Sequence, residues 1–451
     1  MKPQTTLENK YLKTVFTALA KKDAAPGSAA PTEDTPRRPV HVVYGGAHLF
    51  KSDSAHKLGE LALRALSRYA PDAITFARAV GMDEALAHKV YDRVVDKLKS
   101  EPVEDYRIDF EDGYGDRPEA EEDAHAVAAA LEAARGLEEG TLPPFLGLRI
   151  KPFTPERRDR AVRTLDVFLS ALVRQTKGRL PAPFFVTLPK VSRPAEAAAL
   201  SKILDAFERK KKLAPRTLKM EIMVETPQAI LGPDGTSPLR AIVDACGGRC
   251  TSAHFGAYDY TAALDVVAAH QRLDHPACAF ARQVMKLTLA GSGTALSDSA
   301  TVLLPLAPHR AAPGEYLTAA QDRENVEAVR HGWRLHYENA TRSLTEGFYQ
   351  GWDLHPAQLP ARYAAVYCFF LAGLPSATAR LKNFLERAAQ ATRIGGVFDD
   401  AATGQGLLNY FLRARACGAV TEAEAAAAGL TAAELAGRSF LKILEARRAE
   451  D

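Results

Sequence analysis

The chain has 451 residues, of which 47% are hydrophobic and 25% are charged, so it can bury a large core beneath a charged surface. These proportions exclude a wholly disordered or collagen-like chain. The formal net charge of +3 predicts no nucleic-acid partner, because such binding needs clustered Lys and Arg. The strongest basic run, Arg209–Lys212, ends a helical pattern and is typical of a solvated helix end.

The five cysteines are odd in number and form no CxxC motif, which argues against a disulfide framework or a structural zinc site. A reducing, cytoplasmic location is therefore expected. Charged residues interrupt the N-terminal segment before it reaches signal-peptide length. No later stretch approaches about 18 uncharged apolar residues, so no membrane partner is expected.

The sequence pattern of residues 1–40 predicts one short helix followed by a linker. Residues 1–21 carry a stripe of apolar side chains at helical spacing: Leu7, Tyr11, Leu12, Val15, Phe16 and Leu19. The following segment, Lys22–Pro39, is rich in Ala, Pro, Ser, Thr and Asp, a composition typical of a linker or a long surface loop.

From His41 onward, short β-branched and aromatic runs alternate with longer amphipathic stretches, which is the pattern of repeated βα units. Eight strands are predicted, at 41–45, 107–111, 145–150, 184–190, 219–224, 252–256, about 295–304 and about 350–355. Helices are predicted between them at 54–69, 83–99, 118–135, 155–174, 193–212 and 318–346. This count favours a closed (β/α)₈ (TIM) barrel, and an open doubly wound sheet is the alternative.

After Pro360 the strand pattern stops, and the remainder is expected to be helical. Capping boxes begin at Thr421 and Thr431. The predicted domains are therefore residues 1–40 (helix and linker), 41–360 (catalytic barrel) and 361–451 (helical extension). The Ala-rich extension carries few residues of catalytic type, which favours a role in packing or oligomer contact.

Functional groups of a barrel gather at the carboxyl ends of its strands. Glu225 and Asp259 each lie where a predicted strand enters a loop, and neighbouring strands would bring them together. Two such carboxylates suit a hard divalent cation, Mg²⁺ or Mn²⁺. The alternative is that both cap helices.

Asp109, Glu111 and Asp112 place three acids within four residues at another strand end, where they repel each other unless cations share the site. The alternative is a solvated acidic turn before Gly113. Besides a metal ion, three basic residues could compensate the charge: Arg107, Arg149 and Lys190.

Arg149 ends the FLGLRI run, and its permanently charged fork of donors suits a carboxylate or a developing oxyanion. Lys190 follows Pro189 at another strand end, and its positive charge could serve the same purpose. His355 is an acid/base candidate because imidazole titrates near neutrality. The alternatives are that Arg149 forms a salt bridge in the barrel mouth, that Lys190 is purely structural and that His355 anchors a loop.

Taken in order, the strand endings resemble the HpcH/HpaI aldolase and citrate lyase β-subunit superfamily, which is related to malate synthase and the phosphoenolpyruvate/pyruvate group. The resemblance runs from about His41 to Gln358. It rests on six motifs: Asp109-Phe-Glu-Asp112, Arg149-Ile-Lys151, Leu188-Pro-Lys-Val191, Glu225-Thr-Pro227, Gly256-Ala-Tyr-Asp259 and Leu354-His-Pro-Ala-Gln358. The DFED form is more similar to the citrate lyase and malate synthase branches than to the aldolase branch.

The resemblance implies a barrel that assembles as a homo-oligomer, a trimer or hexamer, with Mg²⁺ or Mn²⁺ held at Glu225 and Asp259. It implies that Arg149 stabilises an enolate and that the acidic motif from Asp109 to Asp112 orders water and this arginine. The tail of about 90 residues and the Gly232–Gly235 loop depart from the pattern and indicate a divergent, longer branch.

These observations lead to the hypothesis of a metal-dependent carbon–carbon lyase acting on a small oxo or hydroxy acid, or its acyl-CoA thioester. Catalytic roles are predicted for Arg149 and for either Asp112 or His355 in proton transfer. Lys190, Glu111 and Asp109 are predicted to bind substrate. Phosphoryl transfer involving phosphoenolpyruvate or pyruvate, and a non-catalytic barrel scaffold, are the alternatives.

Overall fold

The computed structural model describes residues 37–386, 392–394, 397–399 and 401–450. The helix predicted at 1–21 and most of the predicted linker lie outside these residues. Residues 37–39, at the end of the predicted linker, are irregular and lead directly into the first strand.

Eight parallel strands close into a barrel in chain order, and the first strand completes the ring by pairing with both the second and the eighth. The strands are β1 (His41–Gly46), β2 (Asp105–Asp109), β3 (Phe145–Arg149), β4 (Phe184–Leu188), β5 (Leu218–Val224), β6 (Cys250–Phe255), β7 (Ala295–Ala300) and β8 (Gln350–Asp353). The predicted closed barrel is confirmed, and the open sheet is excluded.

Helices surround this barrel. Through the last barrel unit they are α1 (Ser54–Tyr69), α2 (Ala73–Val80), α3 (Ala87–Ser100), α4 (Glu119–Glu139), α5 (Arg158–Gln175), α6 (Pro194–Lys211), α7 (Pro227–Ile230), α8 (Leu239–Ala245), α9 (Ala257–Ala263), α10 (Pro276–Leu289), α11 (Ala319–Thr345) and α12 (Leu359–Glu386). All six predicted helices are present within a few residues of their expected bounds. Sequence analysis did not predict α2, α7, α8, α9 or α10.

Strand alternation separates two layers of buried side chains. Ile108, Leu148 and Val186 belong to the main apolar core together with helix residues such as Phe168. The intervening positions, including Arg107 and Arg149, form ion pairs with residues of other strands. Much of the barrel interior is therefore polar, although such barrels usually carry branched aliphatic residues there.

The C-terminal region contains α13 (Ala401–Ala416), α14 (Glu422–Ala426), α15 (Ala432–Gly437) and α16 (Phe440–Glu450). Both predicted capping boxes are confirmed, at Thr421 and Thr431. The expectation of a wholly helical tail is wrong, because β9 (Thr392–Ile394) pairs with β10 (Val397–Asp399) in an antiparallel sheet. These strands contain β-branched residues, which favour extended backbone. The predicted domain boundaries remain predictions.

Within the described part of the chain, one segment, Pro356–Leu385, is long and apolar enough to cross a membrane by length and composition alone. Half of it is buried inside the protein, and it includes most of α12, which packs against α3 and α11. A core helix passes the same test, so this observation is weak evidence for a span.

Candidate functional site

Arg149 lies at the carboxyl end of β3, fully buried, and is fixed by Asp109 at the end of β2. Its Nε donates to Asp109 Oδ1 at 2.7 Å, and its Nη2 donates to Asp109 Oδ2 at 2.5 Å. The same carboxylate accepts hydrogen bonds from the backbone N–H groups of Glu111 and Gly113. Asp109 thus fixes both the acidic turn and the guanidinium. Its two hydrogen bonds with Arg149 form a bidentate pair, which favours one orientation of the guanidinium.

Two aromatic rings lie against the same guanidinium. The centre of the Arg149 guanidinium is 4.7 Å from the Tyr44 ring centroid and 5.5 Å from that of Trp352. Such cation–π contacts stabilise a desolvated arginine. Sequence analysis missed both residues, although alternation in HVVYGG places Tyr44 on the same strand face as buried Val42.

Four acidic side chains form what we call the acidic pocket, consisting of Glu111, Asp112, Glu225 and Asp259. Lys190 borders all four. Its Nζ lies 2.5 Å from Glu111 Oε1, 3.5 Å from Asp112 Oδ1 and 3.5 Å from Asp259 Oδ2. Its backbone N–H donates to Glu225 Oε1 at 2.6 Å. Residues that follow β2, β4, β5 and β6 therefore lie together around Lys190.

Arg149 also borders this pocket. Its Nη1 lies 3.0 Å from Glu111 Oε2 and 3.7 Å from Asp112 Oδ2. The contact with Glu111 lacks hydrogen-bond geometry, so Glu111 Oε2 is a buried oxygen without a hydrogen-bond partner in the structure. Asp112 has a side chain that is 59% exposed and faces the mouth of the pocket.

Glu225 is packed against the backbone of Gly256. A Cβ added at Gly256 would lie 2.5 Å from Glu225 Oε2 and 2.6 Å from its Cβ, so only glycine allows this approach. Burial, and then the charge of Glu111, raises the pKa of Glu225 to about 8. Burial likewise raises the pKa of Glu111. The pocket therefore has a surplus of acidic groups that positive charge would stabilise.

The donor set fits a hard divalent cation. With Asp109 included, five carboxyl groups surround two cationic side chains, and one buried oxygen, Glu111 Oε2, has no hydrogen-bond partner. Carboxylate oxygen is the ligand that Mg²⁺ and Mn²⁺ prefer. In the described ranges, however, no three His, Cys, Asp or Glu side chains are already arranged to hold a metal ion. The Lys190 ammonium lies among these carboxylates.

Arg107 does not take part in the pocket. Its guanidinium pairs with Asp105 and donates to Glu221 Oε2 at 2.5 Å, deeper in the barrel. Glu221 also lies 2.9 Å from His254 Nε2. The prediction that Arg107 could compensate the acidic run is wrong, because Arg107 lies in the middle of β2, two residues before Asp109, and its guanidinium pairs with Asp105 and Glu221.

The structure does not bring His355 to the pocket. Its Nδ1 accepts a hydrogen bond from the backbone N–H of Ala357 at 3.1 Å, capping the turn after β8. It borders a separate surface cavity of about 340 Å³ with Leu61, Pro305 and His309. Burial lowers the pKa of His355. These contacts match the loop-anchor alternative.

A family model described as "Domain of unknown function (DUF6986)" matches residues 19–443, which include the whole barrel and most of the tail. The chain belongs to this family. No curated protein matches the chain.

Solved structures are similar at low identity. A citrate lyase from Burkholderia xenovorans LB400 is 20% identical with a TM-score of 0.56, covering 89% of this chain and 99% of that one. Malate synthase from Haloferax volcanii, in a pyruvate/acetyl-CoA ternary complex, is 14% identical with a TM-score of 0.47, covering 93% and 99%. Protein CitE from Mycobacterium tuberculosis, with magnesium, acetoacetate and coenzyme A, is 16% identical with a TM-score of 0.46, covering 84% and 98%. The closed barrel and its likeness to the citrate lyase structure confirm the fold that the motifs predicted.

Proposed function

We propose that the protein is a metal-dependent carbon–carbon lyase acting on a small oxo or hydroxy acid, or on its acyl-CoA thioester, through an enolate. The observation that carries this proposal is the pairing of a fixed, buried guanidinium with an adjacent acidic pocket. Arg149 supplies positive charge beside Glu111. Glu225 and Asp259 supply carboxylates that contact Lys190.

Glu225 and Asp259 are the residues that would hold Mg²⁺ or Mn²⁺, with Glu111 as the neighbouring acid. When bound, the cation would supply Lewis-acid charge to a substrate carboxylate and its adjacent oxygen. The donor chemistry, the Glu111 oxygen that has an ion pair but no hydrogen bond, and the close approach of Gly256 support this assignment.

Arg149 balances the charge that accumulates on the enolate oxygen when the carbon–carbon bond breaks. Because Asp109 and two aromatic rings hold the guanidinium before substrate arrives, little reorganisation is needed at the moment of reaction. Preorganised donors of this kind contribute about 3–4 kcal/mol of transition-state stabilisation.

Asp112 is the residue we assign to proton transfer, in preference to His355. It is exposed to the mouth, lies 3.7 Å from Arg149 and borders Lys190. In the cleavage direction it accepts the hydroxyl proton while the bond electrons move to the carbonyl oxygen. In the reverse direction it returns that proton. Lys190 is placed to bind an anionic group of the substrate.

A metal-supplemented screen tests the proposal. Purified protein with Mn²⁺ is incubated with hydroxy acids and with acyl-CoA thioesters, and release of pyruvate, glyoxylate or oxaloacetate is followed. We expect turnover with one substrate class and its loss in the Glu225→Gln/Asp259→Asn double variant. Full activity in the double variant would overturn the metal assignment.

The screen also separates the alternatives. Incubation with ATP and pyruvate, followed by phosphorus NMR, reports phosphoryl transfer, and a new phosphorus signal without any lyase product would favour that reaction. Absence of turnover with every substrate, together with tight partner binding, would favour a scaffold.

A further inference from the structure

Lys190 places an ammonium group where a divalent cation would have to bind. Its Nζ contacts Glu111, Asp112 and Asp259 at 2.5, 3.5 and 3.5 Å, and Glu225 is bound by the same residue's backbone N–H. One side chain therefore provides positive charge to the whole acidic pocket. A dication and an ammonium held this close to the same oxygens repel each other.

The backbone of Lys190 is fixed, whereas its side chain can leave. The residue has a φ of 53°, in the left-handed region, and its N–H is bound to Glu225. Its side chain is 29% exposed, and its ammonium pairs with carboxylates. Four rotatable bonds allow such a lysine to reach solvent without movement of the main chain.

A second lysine near the same strand ends shows the contrast. Lys151 is nearly fully buried, and its Nζ donates to the carbonyl oxygen of Phe110 at 2.8 Å and to Glu122 at 2.9 Å. That lysine ties a loop to a helix and has no exposed route away. Lys190 instead lies at the mouth of the acidic pocket.

We propose that Lys190 is a built-in competitor of the divalent cation. Its ammonium offsets part of the negative charge of the acidic pocket in the metal-free protein, and the incoming cation displaces it. This inference rests on the metal assignment made under the proposed function. It adds that the metal ion must compete with the Lys190 ammonium for the same carboxylates. Removing the lysine charge should therefore make metal binding tighter.

The experiment is calorimetric titration of the full chain with Mn²⁺, comparing the wild type with Lys190→Met. We expect the dissociation constant to fall by at least about tenfold, which corresponds to about 1.4 kcal/mol. Arg157→Met is the matched control, because Arg157 also lies at this end of the barrel but pairs with Asp116 outside the pocket. Its Mn²⁺ affinity should stay within about twofold of the wild type, since screening weakens distant surface charges.

A second measurement covers the case in which Lys190→Met folds poorly. Lys190→Gln is neutral but polar, and its thermal midpoint is measured with and without Mn²⁺ beside that of the wild type. Because the metal-free pocket loses the ammonium that contacts Glu111, Asp112 and Asp259, we expect a lower midpoint without metal and a larger rise on adding Mn²⁺ than in the wild type.

The outcomes separate this inference from the proposed function. If the wild type binds Mn²⁺ but Lys190→Met or Lys190→Gln binds it equally or more weakly, Lys190 is not a competitor and the inference fails alone. If none of the folded proteins binds Mn²⁺, the metal assignment itself fails, and the inference fails with it.

Discussion

Arg149 is held by Asp109 on one edge and by aromatic rings on its faces, so its position is defined by side chains from β1, β2 and β8. A lysine at this position would keep the positive charge but could not donate two parallel hydrogen bonds to one carboxylate. The geometry of the charge, more than its sign, is therefore what distinguishes this residue.

We expect Arg149→Lys to lower kcat by about 100-fold or more, with a smaller change in KM, because the lost interaction belongs mainly to the transition state. Steady-state kinetics on the substrate identified in the screen measure this split. Arg249→Lys is the matched control, since Arg249 is equally buried and binds Glu208 through both of its terminal nitrogens, away from the pocket. That variant should lose stability but keep kcat, and an equal loss in both variants would contradict the assignment.

Gly256 offers a second change at the level of one residue. In Gly256→Ala the new methyl group would meet the Oε2 and Cβ atoms of Glu225, so the carboxylate must move. We expect Mn²⁺ affinity to fall by at least about tenfold and stability to fall by about 1–3 kcal/mol, the usual range for overpacking. Gly406→Ala, where a Cβ meets nothing within 4 Å, should leave Mn²⁺ binding unchanged. Unaltered affinity in Gly256→Ala would remove Glu225 from the metal site.

Strands β2 and β5 carry charged residues into the barrel interior, and this arrangement has a consequence for pH dependence. Burial raises the pKa of Asp105 to about 6, even though Arg107 opposes the shift. The unfolded value is about 3.9, so the folded protein holds the proton more tightly between these two values. The associated stability is fully present below about pH 4 and is lost as pH rises through about 6.

We expect Asp105→Asn to remove this dependence. The stability of the wild type relative to the variant should decrease by about 2–3 kcal/mol between pH 4 and pH 7. The difference between the two thermal midpoints should therefore change by a few degrees over this pH range. Asp322→Asn, at an exposed aspartate that pairs with Arg68, controls for the loss of a carboxylate. A midpoint difference that does not change with pH in Asp105→Asn would show that Asp105 does not take up a proton on folding.

The barrel strands also show how much of the fold and of the site could be predicted from the sequence. Short runs rich in β-branched and aromatic residues, separated by longer amphipathic stretches, predicted all eight strands. The acidic pocket was predicted because its members end strands, and those ends converge in any parallel barrel. The neighbours of an inward side chain depend on barrel closure, which explains why Arg107 was assigned to the wrong partners and Tyr44 was missed. His355 followed the same strand-end rule, but its ring is used locally as a turn cap.

The helical tail is anchored to the outside of the barrel, away from the acidic pocket. Arg93 on α3 donates to both oxygens of Glu424 on α14 at 3.0 Å, and Arg413 on α13 stacks on Tyr349, just before β8. Tyr349 is at the amino end of the barrel, opposite the carboxyl ends that carry the pocket. In this arrangement, these contacts of the described part of the tail support the outside and the amino end of the barrel.

This placement predicts that stability and metal binding respond separately to changes at the tail contact. Arg93→Ala should lower the free energy of unfolding by about 1–2 kcal/mol, because it removes a partly buried ion pair, in which Nη2 donates to both oxygens of Glu424, and a hydrogen bond to the Ala419 carbonyl. Lys89→Ala removes a more exposed partner of the same Glu424 and should cost less than about 0.5 kcal/mol. Thermal midpoints measure both, and Mn²⁺ titration should give the wild-type affinity in each. A change in Mn²⁺ affinity of more than about threefold in Arg93→Ala would contradict this separation and would mean that the tail contact is coupled to the site through the barrel.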